Sequence, residues 1–227
     1  MSQILELTIQ EDSMDNISII IRNRNESEYI GFAIQSCLDH FKKPEIIIVD
    51  NNSTDDSLEI VNMFSDRTNI QILPINHYTP GKSINLGVKH ATNDYILILS
   101  AHSQITNMDF ELVKKHLKCG NVAVFGNQNP IYKGKKITKR YIWSHFSKKE
   151  TLDMYSNIEQ RHFLHNAFCF YEKQVLLNNP MPEIYSTKED RYWIKDMIDK
   201  HQHYIYIPTI SINHFYTNNG ATWKGIG

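Results

Sequence analysis

Four polar clusters in this 227-residue chain carry side chains able to do chemistry. Arg22-Asn23-Arg24-Asn25-Glu26 follows the apolar run 17–21, and Asp50-Asn51-Asn52-Ser53 follows the run 46–49. Ser100-Ala101-His102-Ser103 follows the run 95–99, and Glu189-Asp190 stands just ahead of Trp193. Guanidinium groups meet phosphate oxygens in a two-pronged geometry, and a carboxylate such as Asp50 accepts from a nucleobase N–H, so the first two clusters suit a nucleotide. A plainer reading makes them loop and cap residues. Glu189 and Asp190 likewise suit the first turn of a helix, where acids complement the dipole. His214 reads either as a strand-end histidine with a satisfied hydrogen bond or as a ligand. His162 and His165 are three apart but lack nearby carboxylates or cysteines, which argues against a metal site there.

The elements that must position these groups alternate in a β-α-β pattern. Short apolar runs at 17–21, 46–49 and 95–99 predict strands covered on both faces, with a shorter strand at 70–73. Between them the apolar spacing predicts a helix capped by Ser27 and running to about Phe41, another ending near Asp66, and a third opened by Pro80 and ending near Ala91. A polar loop at 100–106, a helix over 108–118 and a strand at 122–125 follow. Segment 127–150 is rich in Lys and Arg, with Tyr132, Tyr141 and Trp143 among them, and is expected to be a mobile loop suited to sugar stacking and phosphate contact. Order resumes with a strand at 167–171, a helix at 186–200 and a strand at 204–207. The expected fold class is α/β, a three-layer α/β/α sandwich on a mostly parallel sheet. In open sheets of this kind ligands bind beyond the carboxyl ends of the parallel strands, so the clusters should converge on one crevice.

Composition narrows the functions. With 24 Lys+Arg against 25 Asp+Glu, the chain has no general field for a nucleic-acid backbone. Cys37, Cys119 and Cys169 are too few and too dispersed for a disulfide framework, and are expected to be reduced thiols in a cytoplasmic protein. Residues 1–16 read as a loosely held acidic tail and not as a signal peptide, and no apolar run approaches a membrane span. Gly81-Lys82-Ser83 mimics the end of a phosphate loop, but Asn76 occupies the position of the required earlier glycine. No glycine precedes Gly31, so the first strand is followed neither by a nucleotidyltransferase loop nor by a dinucleotide fingerprint.

Taken in order, Ile17-Ser18-Ile19-Ile20-Ile21-Arg22-Asn23-Arg24-Asn25-Glu26-Ser27, Ile46-Ile47-Ile48-Val49-Asp50-Asn51-Asn52-Ser53-Thr54-Asp55, Pro80-Gly81-Lys82-Ser83-Ile84-Asn85-Leu86-Gly87, Tyr95-Ile96-Leu97-Ile98-Leu99 and the late Glu189-Asp190 with His214 resemble a family 2 glycosyltransferase over about residues 17–216. The resemblance implies a GT-A fold and a nucleotide-sugar donor. It implies one domain over 17–227, with a nucleotide-sugar half at 17–126 and an acceptor half at 127–227. Asp50 and Asn52 would recognise the nucleotide with Arg22, Asn23, Arg24 and Glu26, and Lys82 and Asn85 would lie beside the donor. Asp190 would be the general base of an inverting transfer, with Glu189 as its neighbour.

The family's metal-binding Asp-x-Asp should fall at Ser100, Ala101 and His102, where both carboxylates are absent. Mg²⁺ and Mn²⁺ favour oxygen ligands, so this substitution weakens the usual site. Three accounts follow: a metal-independent transferase, a site in which His102 pairs with His214 around a metal, or a catalytically degenerate nucleotide-sugar or glycan binding module. The Glu189-Asp190 pair favours an enzyme. By the same resemblance the acceptor is a hydroxyl of a bacterial surface polysaccharide, a lipid-linked glycan or a glycoconjugate, with peripheral membrane or partner-enzyme association at the inner face of the membrane.

Overall fold

The computed structural model describes residues 14–136, 141–218 and 220. Most of the expected N-terminal tail, residues 1–13, lies outside the described residues, as do Lys139, Arg140 and the side chain of Tyr141. Asp15 and Asn16 are tied down: the Asp15 N–H donates to Lys42 O at 3.0 Å, and Asn16 Nδ2 donates to Asp94 Oδ2 at 2.7 Å.

The chain runs β1 (Ile17–Asn23), α1 (Ile30–His40), β2 (Glu45–Asp50), α2 (Ser57–Asn62), β3 (Ile70–Pro74), α3 (Pro80–His90), β4 (Tyr95–Ser100), β5 (Ser103–Asn107) and α4 (Phe110–Lys118). Then come β6 (Asn121–Tyr132), β7 (Lys135–Lys136), a 3₁₀ turn (Tyr141–His145), β8 (Thr151–Leu152), β9 (Tyr155–Ser156) and β10 (Arg161–His162). The last elements are β11 (Phe168–Glu172), α5 (Lys173–Asn178), α6 (Glu189–Asp199) and β12 (His203–Phe215). One sheet orders its strands β3-β2-β1-β4-β11-β6-β12-β5. Strands β1 to β4 are mutually parallel, β11 runs against both β4 and β6, and β6 and β12 pair in parallel.

Pleat alternation splits the core. Ile20, Ile47, Val49, Ile96 and Ile98 face one layer with Ile84 and Val88 of α3, Leu176 of α5 and Trp193 of α6. Ile19, Ile21, Ile46, Ile48, Leu97 and Leu99 face the other, with Ile34 of α1, Val61 of α2 and Val113 of α4. Every one of these residues is buried, each side chain stabilising the fold by roughly 1.5–3 kcal/mol relative to exposure, which is why these runs show no polar alternation. This is the expected three-layer α/β/α sandwich.

Several expectations are corrected. Ser27 does not cap α1: Tyr29 holds that position, and the Ser27 N–H donates instead to Asp55 Oδ2 at 2.9 Å. The loop expected at 100–106 contains β5, an edge strand held by β12. The mobile loop expected from residue 127 begins as ordered sheet, because β6 continues to Tyr132 on its β12 partner. Strand β12 also outruns the expected 204–207: Pro208 falls in a register shift between Ile207 and Ser211, after which pairing resumes. Helix α5 was not anticipated, and α6 begins at Glu189, three residues later than expected.

Helix α3 opens with Thr79 as its cap, its Oγ1 accepting from Lys82 N at 3.2 Å, and with Pro80 at the first position. Gly81 lies so close to the 181–183 segment that a β-carbon there would sit 2.2 Å from the Pro182 carbonyl oxygen. Backbone cannot yield as a flexible side chain does. Gly81→Ala is therefore expected to destabilise the protein by about 1–3 kcal/mol, read as a loss of thermal midpoint of roughly 2–12 °C. An unchanged midpoint would mean that the segment moves away freely.

Candidate active site

The carboxyl ends of β1 and β4, the residues entering β11 and the start of α6 enclose a cleft of about 580 Å³. Antiparallel β11 explains part of this geometry. Phe168 pairs with Leu99, so the residues just before β11 arrive where the residues just after β4 leave the sheet. Of the sequence-predicted groups, Arg22, Asn23, Arg24, Glu26, Ser100, Ala101, His102, Glu189, Asp190 and His214 line the cleft.

Asp50, Asn52, Lys82 and Asn85 are not on its wall. Asp50 is buried behind it, where Oδ1 accepts from Asn23 Nδ2 at 2.9 Å and from Ser53 Oγ at 2.6 Å, and Oδ2 accepts from Ser53 N at 3.0 Å. It thus fixes Asn23 and the turn around Asn51, both of which do line the cleft. Asn52 is exposed with a left-handed φ of 52°. Asn85 is a clamp: its Nδ2 donates to Met181 O and Glu183 Oε1, both at 2.9 Å, and its Oδ1 accepts from Met181 N at 2.9 Å. All of its described polar contacts face the 181–183 segment, away from the cleft.

Glu189 and Asp190 occupy the first turn of α6, preceded by Lys188 in a left-handed conformation with φ 71°. A non-glycine residue held there costs about 1–2 kcal/mol. The flanking packing sustains it, notably Trp193, which is 2% exposed and donates through Nε1 to Asn179 O at 2.7 Å. Asn166 spans the two acids: its N–H donates to Asp190 Oδ2 at 3.3 Å and its Nδ2 to Glu189 Oε1 at 3.4 Å. Tyr171 Oη donates in turn to Asn166 Oδ1 at 2.5 Å, so the amide cannot flip without losing that bond. Arg22 Nη1 reaches Glu189 Oε1 at 3.2 Å.

Both carboxyls are pushed above their ordinary range. For Glu189 the cause is burial, opposed by Arg22 and reinforced by the Asp190 charge. For Asp190 it is again burial, opposed by Arg161 and by the N–H donors of Asn166 and Arg191. Asp190 keeps partial exposure to the cleft while Glu189 does not. The more accessible carboxylate, with its basicity raised, is the one suited to take a proton from a bound hydroxyl.

Three histidines, His102, His165 and His214, also line the cleft. His102 and His214 stack with centroids 4.9 Å apart and planes 28° from parallel. The unanticipated strand β5 brings them together, since its pairing with β12 sets His214 opposite Ser103. Gln128, absent from the sequence reading, bridges His214 Nδ1 at 2.8 Å and His165 Nδ1 at 3.1 Å. The Ala167 N–H donates to His165 Nδ1 at 3.3 Å, which makes that nitrogen an acceptor. Gln128 must then turn its amide NH₂ to His165 and its oxygen to His214, so His214 carries its proton on Nδ1. Burial pushes His165 down to about 3 and His214 well below the usual imidazole range, so both rings are neutral. His102 is different: its Nδ1 faces Glu26 Oε1 at 3.2 Å.

This donor set does not fit the divalent site of an Asp-x-Asp enzyme. The lone pairs of stacked rings lie in near-parallel planes and do not converge on one point, and Glu26, the nearest carboxylate, is engaged with His102. Among the described residues, no three His, Cys, Asp or Glu side chains are grouped to hold a metal ion. Cations are plentiful instead, with Arg22, Arg24, Arg161, Lys188 and Arg191 on the cleft wall. Arg161, Asn166, Lys188 and Arg191 were all missed by the sequence reading, and His165 was weighed only as a metal ligand and set aside.

The Glycosyl transferase family 2 profile matches residues 18–178. An uncharacterized glycosyltransferase of Haemophilus influenzae is 35% identical over 130 residues, covering 51% of this chain and 52% of that protein. The GalNAc(5)-diNAcBac-PP-undecaprenol beta-1,3-glucosyltransferase of Campylobacter jejuni is 25% identical over 193 residues, covering 80% of this chain and 59% of that protein. The chain thus spans just over half the length of these curated relatives. Among solved structures, S. aureus TarS 1-349 in complex with UDP-GlcNAc superposes with a TM-score of 0.70 at 18% identity, covering 90% of this chain and 59% of that one. No helix among the described residues is long and apolar enough to cross a membrane.

Proposed function

The chain belongs to glycosyl transferase family 2 and has the GT-A fold, and on that premise we propose that it transfers a sugar, with inversion, from a nucleotide-sugar donor to a hydroxyl acceptor in bacterial surface-glycan synthesis. The observation that carries this reading is the single cleft in which Asp190 and Glu189, held by Asn166, line the same space as Arg22 to Glu26 and Ser100 to His102. The nucleotide lies over Arg22 to Glu26 and Asn51, with Asp50 behind them either as the acceptor of a base N–H or as the brace for Asn23. Asp190 takes the proton of the acceptor hydroxyl as its oxygen bonds to the anomeric carbon. The bond from that carbon to the diphosphate oxygen breaks, and the departing charge falls to cationic side chains. A relative that acts on an undecaprenol-linked glycan, and another named for poly(ribitol-phosphate) N-acetylglucosaminyl transfer, support the surface-glycan setting.

In this reading Ser100-Ala101-His102 stands in place of the Asp-x-Asp motif without holding a carboxylate-bound metal. His102, oriented by Glu26, donates to a donor phosphate, and its neighbour His214 is a packing and orienting group. The degenerate-module reading draws on the same missing carboxylates, and one experiment separates the accounts. Thermal-shift and calorimetric titration with UDP, GDP, CDP, dTDP and their sugar conjugates, each with EDTA, Mg²⁺ or Mn²⁺, should find one selective nucleotide. Its affinity should change less than twofold on adding EDTA and fall about tenfold or more in His102→Ala, the loss of a charge-assisted hydrogen bond. A large EDTA effect would restore a metal to the site. Nucleotide binding without any turnover on added acceptors would favour the binding module.

A further inference from the structure

We propose that Arg161 and Arg191 form an oxyanion subsite on the acceptor side of the cleft, so that the acceptor carries a phosphate or carboxylate next to the hydroxyl being glycosylated. The inference rests on Asp190 facing the acceptor, as proposed above. The two guanidiniums come from different elements, Arg161 from β10 and Arg191 from α6, and both line the cleft. Glu159 grips them together: Arg161 Nη2 lies 2.6 Å from its Oε2 and Arg191 Nη2 lies 3.1 Å from its Oε1. The carboxylate is 10% exposed and the arginine side chains 19% and 18%, so the pair is held inside a wall while keeping an open edge.

Arg161 is further fixed by its Nη1 donating to His162 O at 2.9 Å and by its position over the Phe163 ring, 5.4 Å from the centroid. A guanidinium has five N–H donors, and two of those of Arg161 are engaged in these bonds. Its buried Nε has no hydrogen-bond partner among the described residues. Two fixed positive charges thus share one Glu159 carboxylate, and both act on the adjacent Asp190. Once Asp190 has taken the acceptor proton, its charge no longer offsets them. An oxyanion on the acceptor supplies the missing negative charge and meets planar donors in the geometry they favour. Arg22 and His102, also on the cleft wall, are left for the donor diphosphate.

The test uses the full chain saturated with whichever nucleoside diphosphate it binds, so that the donor phosphate site is filled. Glycerol 1-phosphate, glucuronate and neutral glycerol are then titrated by calorimetry. At least one of the two anions is expected to bind tenfold or more tightly than glycerol, and which one does so identifies phosphate or uronate as the acceptor group. Arg161→Gln and Arg191→Gln should each weaken that anion about tenfold while changing nucleotide affinity less than twofold. Arg161→Lys, which keeps the charge and spares the packing, should fall between. Anion binding no tighter than glycerol, or unchanged by all three variants, would overturn the subsite. A parallel loss of nucleotide affinity would also overturn it, by assigning the arginines to the donor. Arginine-dependent anion binding in a protein that binds no nucleotide would uphold the subsite and overturn the transferase reading.

Discussion

Asp190→Asn is expected to lower kcat by about 10²- to 10⁴-fold, the usual contribution of a positioned general base, and to leave nucleotide affinity within twofold. The substitution is nearly isosteric, and Asn keeps an oxygen for the Arg191 N–H that Asp190 Oδ1 accepts at 2.8 Å, but its NH₂ then faces the Asn166 N–H that Oδ2 accepts at 3.3 Å. Removal of a buried charge offsets that loss. Because burial raises this carboxyl's pKa, the folded state binds the proton more tightly than the unfolded chain does. Its contribution to stability therefore falls as pH rises from the ordinary carboxylate value through the raised one, above which the cost is fully present. Removing the charge relieves that cost while the Asn166 N–H loses its acceptor, so the thermal midpoint should change little. In the wild-type enzyme kcat/KM should fall on the acid side with a midpoint above 3.8, and the residual activity of the variant should lack that limb. Full activity in the variant would move the base elsewhere, with Glu189 the next candidate.

Trp193→Ala should cost about 3–5 kcal/mol, as large-to-small changes at buried aromatic sites do. Trp193 packs edge-on to Tyr171 at 5.4 Å, and it binds Asn179 O, which the truncation leaves without this donor. For a chain of this size the loss corresponds to a fall of roughly 6–20 °C in thermal midpoint. Activity should fall further than stability alone explains, because α6 carries both acids and Tyr171 holds Asn166 between them. The comparison is Trp193→Phe, which restores most of the packing without the hydrogen bond and should recover more than half of the loss. Equal damage from both would mean that the indole N–H outweighs the packing.

Strands β1, β2 and β4 were legible because they are covered on both faces and so read as runs dominated by Ile, Val and Leu. Strand β5 was not, since among its five residues only Ile105 is a buried hydrophobic and the rest resemble a polar loop. The continuation of β6 through Gly126-Asn127-Gln128-Asn129-Pro130 carries turn-forming residues, and only its long partnership with β12 makes it a strand. Local preference lost there to tertiary pairing. The same gap explains what was missed in the site. Groups at the carboxyl ends of β1, β4 and β12 were found because strand ends are where such clefts open. His165 and Asn166 precede a strand, and they reach the cleft because β11 is antiparallel, an orientation that no local pattern announces. Arg161 and Glu159 lie in a short two-stranded ribbon with no apolar periodicity at all. Asn85 and Asp50 stood in recognisable motifs, yet their contacts are those of supports.

The position of β11 in the strand order also governs how the chain is made. Its partners on either side, β4 and β6, emerge from the ribosome first, and at about 5–20 residues per second the roughly 70 residues from the end of β4 to the end of β11 take some 4–14 seconds to synthesise. Through that interval β4 presents an unpaired, largely apolar edge, the kind of template on which strands of other chains add. Strand β5 waits longer still, for β12. Until β11 arrives the β4 edge stays unpaired, and a chain stalled within 101–167 is expected to leave it exposed to pairing with other chains.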